Sequence, residues 1–237
     1  MPDYSSRPLN KIFTSVPPNY DLINRLFTWR MDECWRKKTA RICLEEHPEQ
    51  VMDLCTGTGD LAVQLARLSG GNTAITGFDY SQPMLDLAKQ KAVRNGFETL
   101  EFIHGDAAAM PFPDGHFDAI GIAFAFRNLT YKNPDASRFL HEINRVLKIG
   151  GRFVIVESSQ PKNRLIRALF RLYTRNMVFI MGAFISKNKS AYRYLAQSVI
   201  HYYTPEEIEA LLKNHGFSAA THKPLFFGAA AIHTALK

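Results

Sequence analysis

The stretch VMDLCTGTGD, residues 51–60, joins a short apolar run to a small-residue loop with two glycines and a closing aspartate. A loop of this kind, between a buried strand and a helix, is typical of the carboxyl edge of an open parallel sheet, where ligands bind. A P-loop needs Lys and then Ser or Thr after the second glycine, but Asp60 stands there, and the third glycine of a dinucleotide motif is missing. The aspartate therefore favours a cationic ligand, and Gly57 and Gly59 let it approach the backbone closely.

Strand-like apolar runs alternate with helix-like segments along the chain, which predicts an α/β fold with a parallel sheet covered by helices on both faces. Strands are predicted at 51–54, 73–78, 100–103, 117–123 and 152–157, and a final hairpin near 217–222 and 228–236. Helices are predicted at 21–46 with an interruption near 29–32, at 61–68, from a Ser81 cap, at 135–147, and from a Thr204 cap to Gly216.

Length and composition limit the class of protein. The 237 residues are 46% hydrophobic and can bury a sizeable core. Cys34, Cys43 and Cys55 form no CxxC pair, which fits a reducing compartment, and neither a signal peptide nor an apolar run of roughly 20 residues is found. We expect a cytoplasmic protein. The net charge of +7 suits an anionic membrane surface, nucleic acid or acidic substrates without choosing among them.

Two further acids follow predicted strands. In GFDYS, Asp79 ends the second strand, where acids of nucleotide-binding sheets accept both ribose hydroxyls. In HGDAAAMPF, Asp106 can accept a hydrogen bond from an adenine amino group, with Ala107 and Met110 as an apolar wall. Together these acids indicate a nucleoside without phosphates, a description that S-adenosylmethionine meets.

A series of motifs carries a family resemblance across nearly the whole chain. They are FTSVPPNYDLINRLFTWRMDECWRKK, DLCTGTGD, GFDYSQPML, GDAAAMPFPDGHFDAI, FAFRNLTYK, INRVLKIGGRFVIVE and YRYLAQSVIHYYTPEEI. With them the chain resembles the class I S-adenosylmethionine-dependent methyltransferases, and within these the quinone C-methyltransferases of menaquinone and ubiquinone synthesis. The resemblance implies a doubly wound, mostly parallel seven-stranded sheet with an antiparallel C-terminal hairpin. It also implies one domain with a helical lid at 1–48, a core at 49–158, a helical insertion at 159–202 and a C-terminal helix and hairpin at 203–237.

The resemblance also implies S-adenosylmethionine as the cofactor and a set of residues that bind it. Asp79 would hold the ribose, Asp106 and Ala107 the adenine, and the glycine loop with Asp60 the methionine end. Position 123 is often serine in the family, so Ala123 implies one hydrogen bond fewer. The full set is Asp53, Gly57, Thr58, Gly59, Asp60, Asp79, Tyr80, Asp106, Ala107 and Ala123.

The tripeptide FRN at 126–128 matches an arginine that this family carries after its fourth strand. Methyl transfer to a ring carbon needs an electron-rich nucleophile, so the resemblance implies C-methylation of a reduced polyprenyl quinone precursor, demethylmenaquinol or its ubiquinol-pathway equivalent. Arg127 would stabilise the quinolate oxygen and hold a water that takes the ring proton; the alternative is a salt bridge to Asp79 or Asp106. Tyr20 would close the lid over cofactor or substrate, or else pack in the core.

Histidines are candidate proton relays in the C-terminal part, where the family builds its quinone pocket. His201 is the first candidate and His233 the second. His104, His116 and His141 are interpreted as surface or packing residues. No HxxxH motif or His/Cys cluster predicts a metal site.

Two basic segments bear on partners. In the insertion, arginines recur every three or four residues beside apolar positions, which predicts a basic amphipathic helix, either at a membrane interface or packed over the sheet with a solvated charged face. These positions are Arg164, Arg167, Arg171 and Arg175, with Leu165, Leu169, Leu172 and Phe179. WRMDECWRKKTAR, residues 29–41, is interpreted as the solvated face of the lid helix, with its tryptophans inward. We expect a lipophilic quinol substrate, peripheral membrane contact, a possible homodimer and no nucleic acid.

Two departures from the family pattern keep alternatives open. The segments ESSQP at 157–161 and GAAAIHT at 228–234 stand where the family usually has a phenylalanine and glycines. A methyltransferase for another small lipophilic acceptor is therefore a second hypothesis, and a non-catalytic cofactor-binding partner in quinone synthesis is a third.

Overall fold

The computed structural model describes residues 25–184 and 196–237, with side chains described as far as residue 177 in the first range. Seven strands of these residues form one sheet in the order β3-β2-β1-β4-β5-β7-β6. They are β1 Gln50–Leu54, β2 Ala74–Asp79, β3 Glu101–His104, β4 Phe117–Ala123, β5 Leu147–Ser158, β6 Ala219–Leu225 and β7 Ala230–Leu236.

The helices of the described residues connect and flank these strands. Besides helical residues at 25–28 and 196–200, they are α1 Met31–Cys43, α2 Asp60–Ser69, α3 Gln82–Arg94, α4 Phe126–Thr130, α5 Ala136–Val146, α6 Arg164–Phe184 and α7 Pro205–Lys213, with a 3₁₀ turn at Phe226–Gly228.

Strand pairing confirms the predicted doubly wound sheet. β1 lies parallel to both β2 and β4, so the strand order reverses between β1 and β4, where open sheets bind their ligands. β7 runs antiparallel to both β5 and β6, which is the predicted C-terminal hairpin.

Two apolar layers cover the sheet, one on each face. On β5, Phe153 and Ile155 pack in one layer and Val154 and Val156 in the other, as the two-residue side-chain period of a strand requires. Helices α1, α2 and α3 contribute to the second layer, and α4, α5 and α7 to the first. The sheet is thus buried on both faces, and the loops that follow the strands form its carboxyl edge.

Some element boundaries differ from the prediction. β5 begins at Leu147 rather than 152, because Leu147 already pairs with Phe117 before the register shifts at the glycine pair. Ser81 precedes α3, but its hydroxyl makes no capping bond. The predicted cap of α7 is confirmed, since Thr204 and Glu207 form a reciprocal capping box.

The interpretation of the 29–41 segment is wrong at two positions. Trp29 is 72% exposed rather than inward, because it lies with Arg30 in a left-handed turn that separates residues 25–28 from α1. Arg36 is only 6% exposed rather than solvated, on the same inward side of α1 as the buried Trp35.

Candidate functional site

A cavity of about 410 Å³ lies at the carboxyl ends of β1 to β4, at the point where the strand order reverses. Its lining residues are Arg36, Asp53, Cys55, Thr56, Gly57, Thr58, Asp60, Leu61, Phe78, Asp79, Tyr80, Ser81, Gln82, Pro83, Met84, His104, Gly105, Asp106, Ala107, Ala123, Ala125, Asn128, Leu129, Asn133 and Phe139. Nine of the ten predicted cofactor-binding residues therefore share one cavity.

The remaining one, Gly59, serves the packing of two helices. It has φ of +81° as the N-cap of α2, and a Cβ there would lie 3.0 Å from the Cβ of Ala88 on α3. Gly57, by contrast, has φ of +55° and open space where a Cβ would point. The close approach to a ligand that the sequence predicts for both glycines is therefore available at Gly57, which lines the cavity.

Asp53, at the end of β1, holds the loop to the start of α2. One of its carboxylate oxygens accepts hydrogen bonds from Thr56 Oγ1 at 2.6 Å and from the Ala62 amide at 2.9 Å. Burial raises the pKa of Asp53 to about 7, against the lowering effect of these bonds and of the nearby Arg36 charge. The residue thus fixes the loop while placing a titratable group at the cavity wall.

Asp79 closes the same loop from β2. Its two oxygens accept hydrogen bonds from the amides of Gly57 and Ser81, each at 2.8 Å, and burial raises its pKa. The Ser81 hydroxyl is buried, lines the cavity and has no hydrogen-bond partner within the described part of the chain. A buried hydroxyl without a partner at a polar cavity is expected where a ligand supplies the bond.

Asp106 and Ala107 follow β3, as predicted. One oxygen of Asp106 accepts the Ala108 amide at 2.9 Å, and Ala107 is buried in the wall. The predicted apolar partner Met110 is not among the lining residues and packs in the core instead. Phe78 and Leu129 supply the apolar wall there.

Asp60 already has a cationic partner. Lys91 Nζ lies 2.6 Å from its carboxylate and donates to Thr58 Oγ1 at 2.9 Å. The expectation that Asp60 favours a cationic ligand is therefore incomplete, because it did not include a cation from the protein itself. A lysine 31 residues further along the chain, on α3, balances this carboxylate and links the glycine loop to the next helix.

Tyr80, directly after β2, and Ala123, at the end of β4, both line the cavity. Tyr80 is 45% exposed, and its carbonyl oxygen lies 2.8 Å from His104 Nε2. Ala123 ends β4, and Phe124, which follows it, has φ of +59°, a strained region for a bulky residue. The chain therefore turns sharply at the mouth of the cavity.

Arg127 does not line this cavity. It is 6% exposed on α4, and its Nη1 donates to Glu157 Oε1 at 2.8 Å and to Ser158 Oγ at 3.1 Å, while its Nε donates to Ser198 Oγ at 3.1 Å. The alternative of a salt bridge to Asp79 or Asp106 is wrong, because the partner is Glu157.

Glu157, at the end of β5, is fully buried. Its carboxylate also accepts the Arg127 amide at 3.1 Å and the Ser158 amide at 2.8 Å. Close by, burial raises the pKa of the Tyr202 hydroxyl well above its ordinary value, and the Glu157 charge adds to that shift. The adjacent ends of β4 and β5 thus carry a closed polar cluster beside the cavity.

The predicted histidine relays lie apart from the cavity lining. His201 is exposed, with Nδ1 2.9 Å from the Gln197 carbonyl oxygen. His233 on β7 is fully buried, neither ring nitrogen has a partner in the described residues, and burial lowers its pKa to about 4. Tyr20 lies outside the described residues. No three His, Cys, Asp or Glu side chains of the described ranges come together as a metal site.

Four residues of this region were missed at the sequence level: Ser81 as a cavity group, Lys91, Arg36 and Glu157. Spacing offered a signal for Arg36, because Asp32, Arg36 and the buried Thr39 recur every three or four residues on one face of α1. The sequence also offered a signal for Glu157, because this carboxylate stands at the end of β5, the strand beside β4.

Comparisons with known proteins identify the family and the fold of the chain. Residues 1–237 match the ubiE/COQ5 methyltransferase family. A demethylmenaquinone methyltransferase of Thermus thermophilus is 41% identical over 222 residues, covering 94% of this chain and 98% of the relative. A ubiquinone/menaquinone biosynthesis C-methyltransferase of Geobacter sulfurreducens is 35% identical over 232 residues, covering 97% and 88%. A SAM-dependent methyltransferase structure from Aquifex aeolicus shares the fold at a TM-score of 0.63 and 19% identity, covering 91% and 97%.

Proposed function

Because the chain belongs to the ubiE/COQ5 methyltransferase family, we propose that it methylates a ring carbon of a reduced polyprenyl quinone precursor, with demethylmenaquinol as the leading acceptor. It is an S-adenosylmethionine-dependent methyltransferase. The observation that carries the acceptor class is the full-length similarity to demethylmenaquinone methyltransferases, combined with a cavity that carries the expected nucleoside-binding acids.

The cavity fits the cofactor, which supplies a methyl group bound to a cationic sulfur. Asp79 and the Ser81 hydroxyl, which has no partner among the residues that the structure describes, together offer acceptors and a donor for the ribose hydroxyls. Asp106 keeps one oxygen on the Ala108 amide and offers the other to the adenine amino group. Thr58 and Tyr80 complete the wall, and the Asp53 carboxyl lines the same cavity beside the glycine loop.

Arg127 is the residue that we assign to the acceptor. Within the described residues its Nη2 makes no hydrogen bond, whereas Nη1 and Nε are held by Glu157, Ser158 and Ser198. Nη2 is then the nitrogen that donates to the oxygen of the deprotonated quinol, and the charge that this oxygen returns to the ring makes the neighbouring carbon nucleophilic. A guanidinium does not give up its proton, so Arg127 stabilises charge and holds a water for the ring proton rather than acting as the base.

The test is an assay with radiolabelled methyl donor against reduced demethylmenaquinone and a demethylated ubiquinol precursor in parallel. We expect label on the ring of at least one quinol, with a preference that identifies the head group. Label on neither quinol, together with transfer to an unrelated small acceptor, would favour the second hypothesis and reject this one.

A variant separates catalysis from cofactor binding. Arg127→Met combined with Glu157→Leu removes both buried charges, and we expect turnover to fall by at least about 100-fold while S-adenosylhomocysteine binds with unchanged affinity. Equal turnover in the variant and the parent would remove Arg127 from the reaction. Exposed Arg138 on α5, changed to Met, is the matched control for the loss of an arginine.

We also propose that α6 brings the enzyme to the membrane that holds a polyprenyl quinol. Leu165, Leu169 and Leu172 are 70%, 57% and 48% exposed, so they do not pack over the sheet. Arg164, Arg171 and Arg175 form an exposed stripe beside them. Arg167 departs from that stripe, because it donates to the carbonyl oxygens of Pro161 and Lys162.

Two neighbouring segments extend this surface. Trp29 donates to the Tyr173 hydroxyl at 2.8 Å, which puts its exposed ring beside α6. Phe226 and Phe227 are 54% and 75% exposed, in the turn whose Gly228 packs against Pro161 ahead of α6. Exposed apolar side chains beside arginines match the interface of an anionic bilayer. No helix in the described ranges is long and apolar enough to cross a membrane.

Vesicle co-sedimentation tests the membrane contact. We expect binding to phosphatidylglycerol vesicles, little binding to phosphatidylcholine vesicles, and loss of binding when Leu165, Leu169 and Leu172 are all changed to Ser. The competing occupant of this surface is a second copy of the chain, a homodimer. In that case the triple variant changes the sedimentation coefficient of the free protein and leaves vesicle binding as it was.

A further inference from the structure

Gln160 lies two residues beyond the end of β5 and is 7% exposed. Its Nε2 donates to the Val199 carbonyl oxygen at 2.9 Å, and this bond fixes which end of the amide carries the oxygen. The oxygen, Oε1, is buried and has no hydrogen-bond partner among the residues that the structure describes. A buried acceptor without a partner costs free energy, which is recovered where a ligand donates the missing hydrogen bond.

The same two chain segments hold Gln160 and the guanidinium of Arg127. Arg127 donates through Nη1 to Ser158 Oγ at 3.1 Å and through Nε to Ser198 Oγ at 3.1 Å. Ser158 stands two residues before Gln160, and Ser198 stands directly before Val199. The guanidinium and the amide are therefore neighbours that bridge the same pair of segments.

Arg127 and Gln160 offer a ligand opposite hydrogen-bonding groups. Nη2 of Arg127, which makes no hydrogen bond in the described part of the chain, is a donor, whereas Oε1 of Gln160 is an acceptor. Ser159 Oγ, also buried without a described partner, can donate or accept, so it does not decide the proton state of a ligand. Both groups lie next to the cofactor cavity, since Asn128, directly after Arg127, is in its wall.

A donor and an acceptor side by side fit a quinol that has lost one of its two protons. The cation of Arg127 stabilises the charged oxygen, next to the ring carbon that takes the methyl group. The second oxygen keeps its hydrogen because it meets the acceptor Oε1 of Gln160 rather than another cation. An oxidised quinone has no hydroxyl hydrogen, and the lone pairs of its carbonyl oxygen would face those of Oε1.

We infer that Gln160 accepts the hydrogen bond of the second hydroxyl and thereby makes the enzyme select the reduced acceptor in one orientation. The inference rests on the proposed methylation of a quinol. It assigns the selection of the reduced state to a protein side chain, in addition to the chemical need for an electron-rich carbon. Gln160 is thus a specificity-determining residue that contacts the acceptor away from the reacting carbon.

Binding to the full chain with S-adenosylhomocysteine present tests this assignment without turnover. The probes, titrated anaerobically, are 2-prenyl-1,4-naphthoquinol, its oxidised quinone, and 3-prenyl-1-naphthol, which lacks the hydroxyl beside the prenyl group. We expect the parent to bind the quinol at least about 10-fold more tightly than the other two probes. Gln160→Met should weaken the quinol about 10-fold, change the naphthol less than about 3-fold and not weaken the quinone. Gln90→Met, at an exposed position of α3, is the matched control and should change none of the three.

The other outcomes overturn the assignment. An equal loss for all three probes in Gln160→Met would mean that Gln160 acts only by holding the Val199 carbonyl. Quinol binding by the parent that is absent, or no tighter than naphthol binding, would mean that no acceptor meets the second hydroxyl. Should Gln160→Met not fold, Gln160→Asn keeps an amide but withdraws its oxygen by one methylene, and the same difference among the probes is required of it.

The binding experiment and the labelled-methyl assay fail separately. Methyl transfer to the quinol without discrimination among the three probes would reject the role of Gln160 and leave the proposed reaction in place. Discrimination among the probes without methyl transfer would reject the proposed reaction and leave the hydrogen bond to Gln160 in place.

Discussion

Asp79 and Asp106, after β2 and β3, face a cavity, whereas Glu157 at the end of β5 is fully buried against Arg127. Both groups stand at the carboxyl edge of one sheet. The first group accepts two or fewer protein hydrogen bonds per side chain and keeps lone pairs for a ligand. Glu157 instead accepts four hydrogen bonds from Arg127 and Ser158.

The difference shows that one sheet edge carries two kinds of carboxylate: one kind binds a ligand, and the other holds an arginine in position. A carboxylate that faces a cavity adds to the affinity for a ligand, because the ligand displaces the remaining water from the carboxylate when it binds. A carboxylate enclosed with an arginine gains little net stability, but it fixes the arginine, and removing one partner leaves a buried charge. We call the acids that face the cavity the open half of this sheet edge, and Glu157 with Arg127 the closed half. Mutations in the open half should therefore change ligand affinity, and mutations in the closed half should change folding stability and turnover.

The largest expected effect concerns the closed half. Arg127→Met leaves the fully buried Glu157 without its cation, so we expect the free energy of unfolding to fall by about 3 to 5 kcal/mol. The double variant Arg127→Met with Glu157→Leu removes both charges and should recover most of that loss. Urea unfolding at pH 7 measures both.

Ser198→Ala is the control for this pair, because it removes the hydrogen bond to Arg127 Nε at 3.1 Å without removing a charge. A single variant no less stable than the double would mean that water reaches Glu157, and the contrast between the two halves would then disappear.

The second effect also belongs to the buried polar groups. His233 has a folded pKa of about 4 because burial and the His222 charge disfavour its protonation, whereas the unfolded chain takes up that proton near pH 6.5. Its contribution to stability is thus present above pH 6.5 and is lost as the pH falls toward 4, by about 2 to 3 kcal/mol.

His233→Leu should flatten this acid-side loss when urea unfolding is compared at pH 7 and pH 4.5. His201→Gln, which removes an exposed imidazole, should leave the difference in unfolding free energy between these two pH values as it is. If His233→Leu leaves this pH difference in unfolding free energy unchanged, water reaches the His233 ring in the folded protein.

The open half was the easier one to predict from the sequence. Strand ends such as Asp79 and Asp106 are marked by a switch from an apolar run to an acid, and parallel strands bring all such ends to one edge. The capping signals of Thr204 and Pro205 are local in the same way, and α7 begins as predicted.

The closed half depends on partners far apart in the chain. Glu157 lies 30 residues from Arg127, and the same kind of distant pairing also occurs at the cavity wall, where Lys91 lies 31 residues from Asp60. Periodicity cannot choose such a partner, because each of these acids and bases is also acceptable on a solvated face. For α6 the pattern predicted an amphipathic helix but not which stripe faces the protein, and the exposed Leu165 and Leu169 decide that point.

The third effect tests the open half at Asp79. Asp79→Asn turns one acceptor into a donor beside the amides of Gly57 and Ser81, so one of these amides loses its partner and the ribose loses a charged acceptor. We expect about 2 kcal/mol weaker binding of S-adenosylhomocysteine, roughly 30-fold, by calorimetry. Asp86→Asn, on the exposed side of α3, makes the same chemical change outside the cavity and should leave affinity unchanged. Affinity retained in Asp79→Asn would separate this acid from the ligand.

The smallest effect adds a hydrogen bond to the open half. Ala123 ends β4 in the cavity wall, so a serine hydroxyl at this position is expected to face the same space. We expect Ala123→Ser to tighten S-adenosylhomocysteine by about 1 kcal/mol, near 5-fold, because a new neutral hydrogen bond contributes about that much. Ala109→Ser, at an exposed position after β3, should change nothing. Weaker binding in Ala123→Ser would mean that the wall is already closely packed against the ligand at this point, and that the affinity of the open half depends there on shape rather than on polar groups.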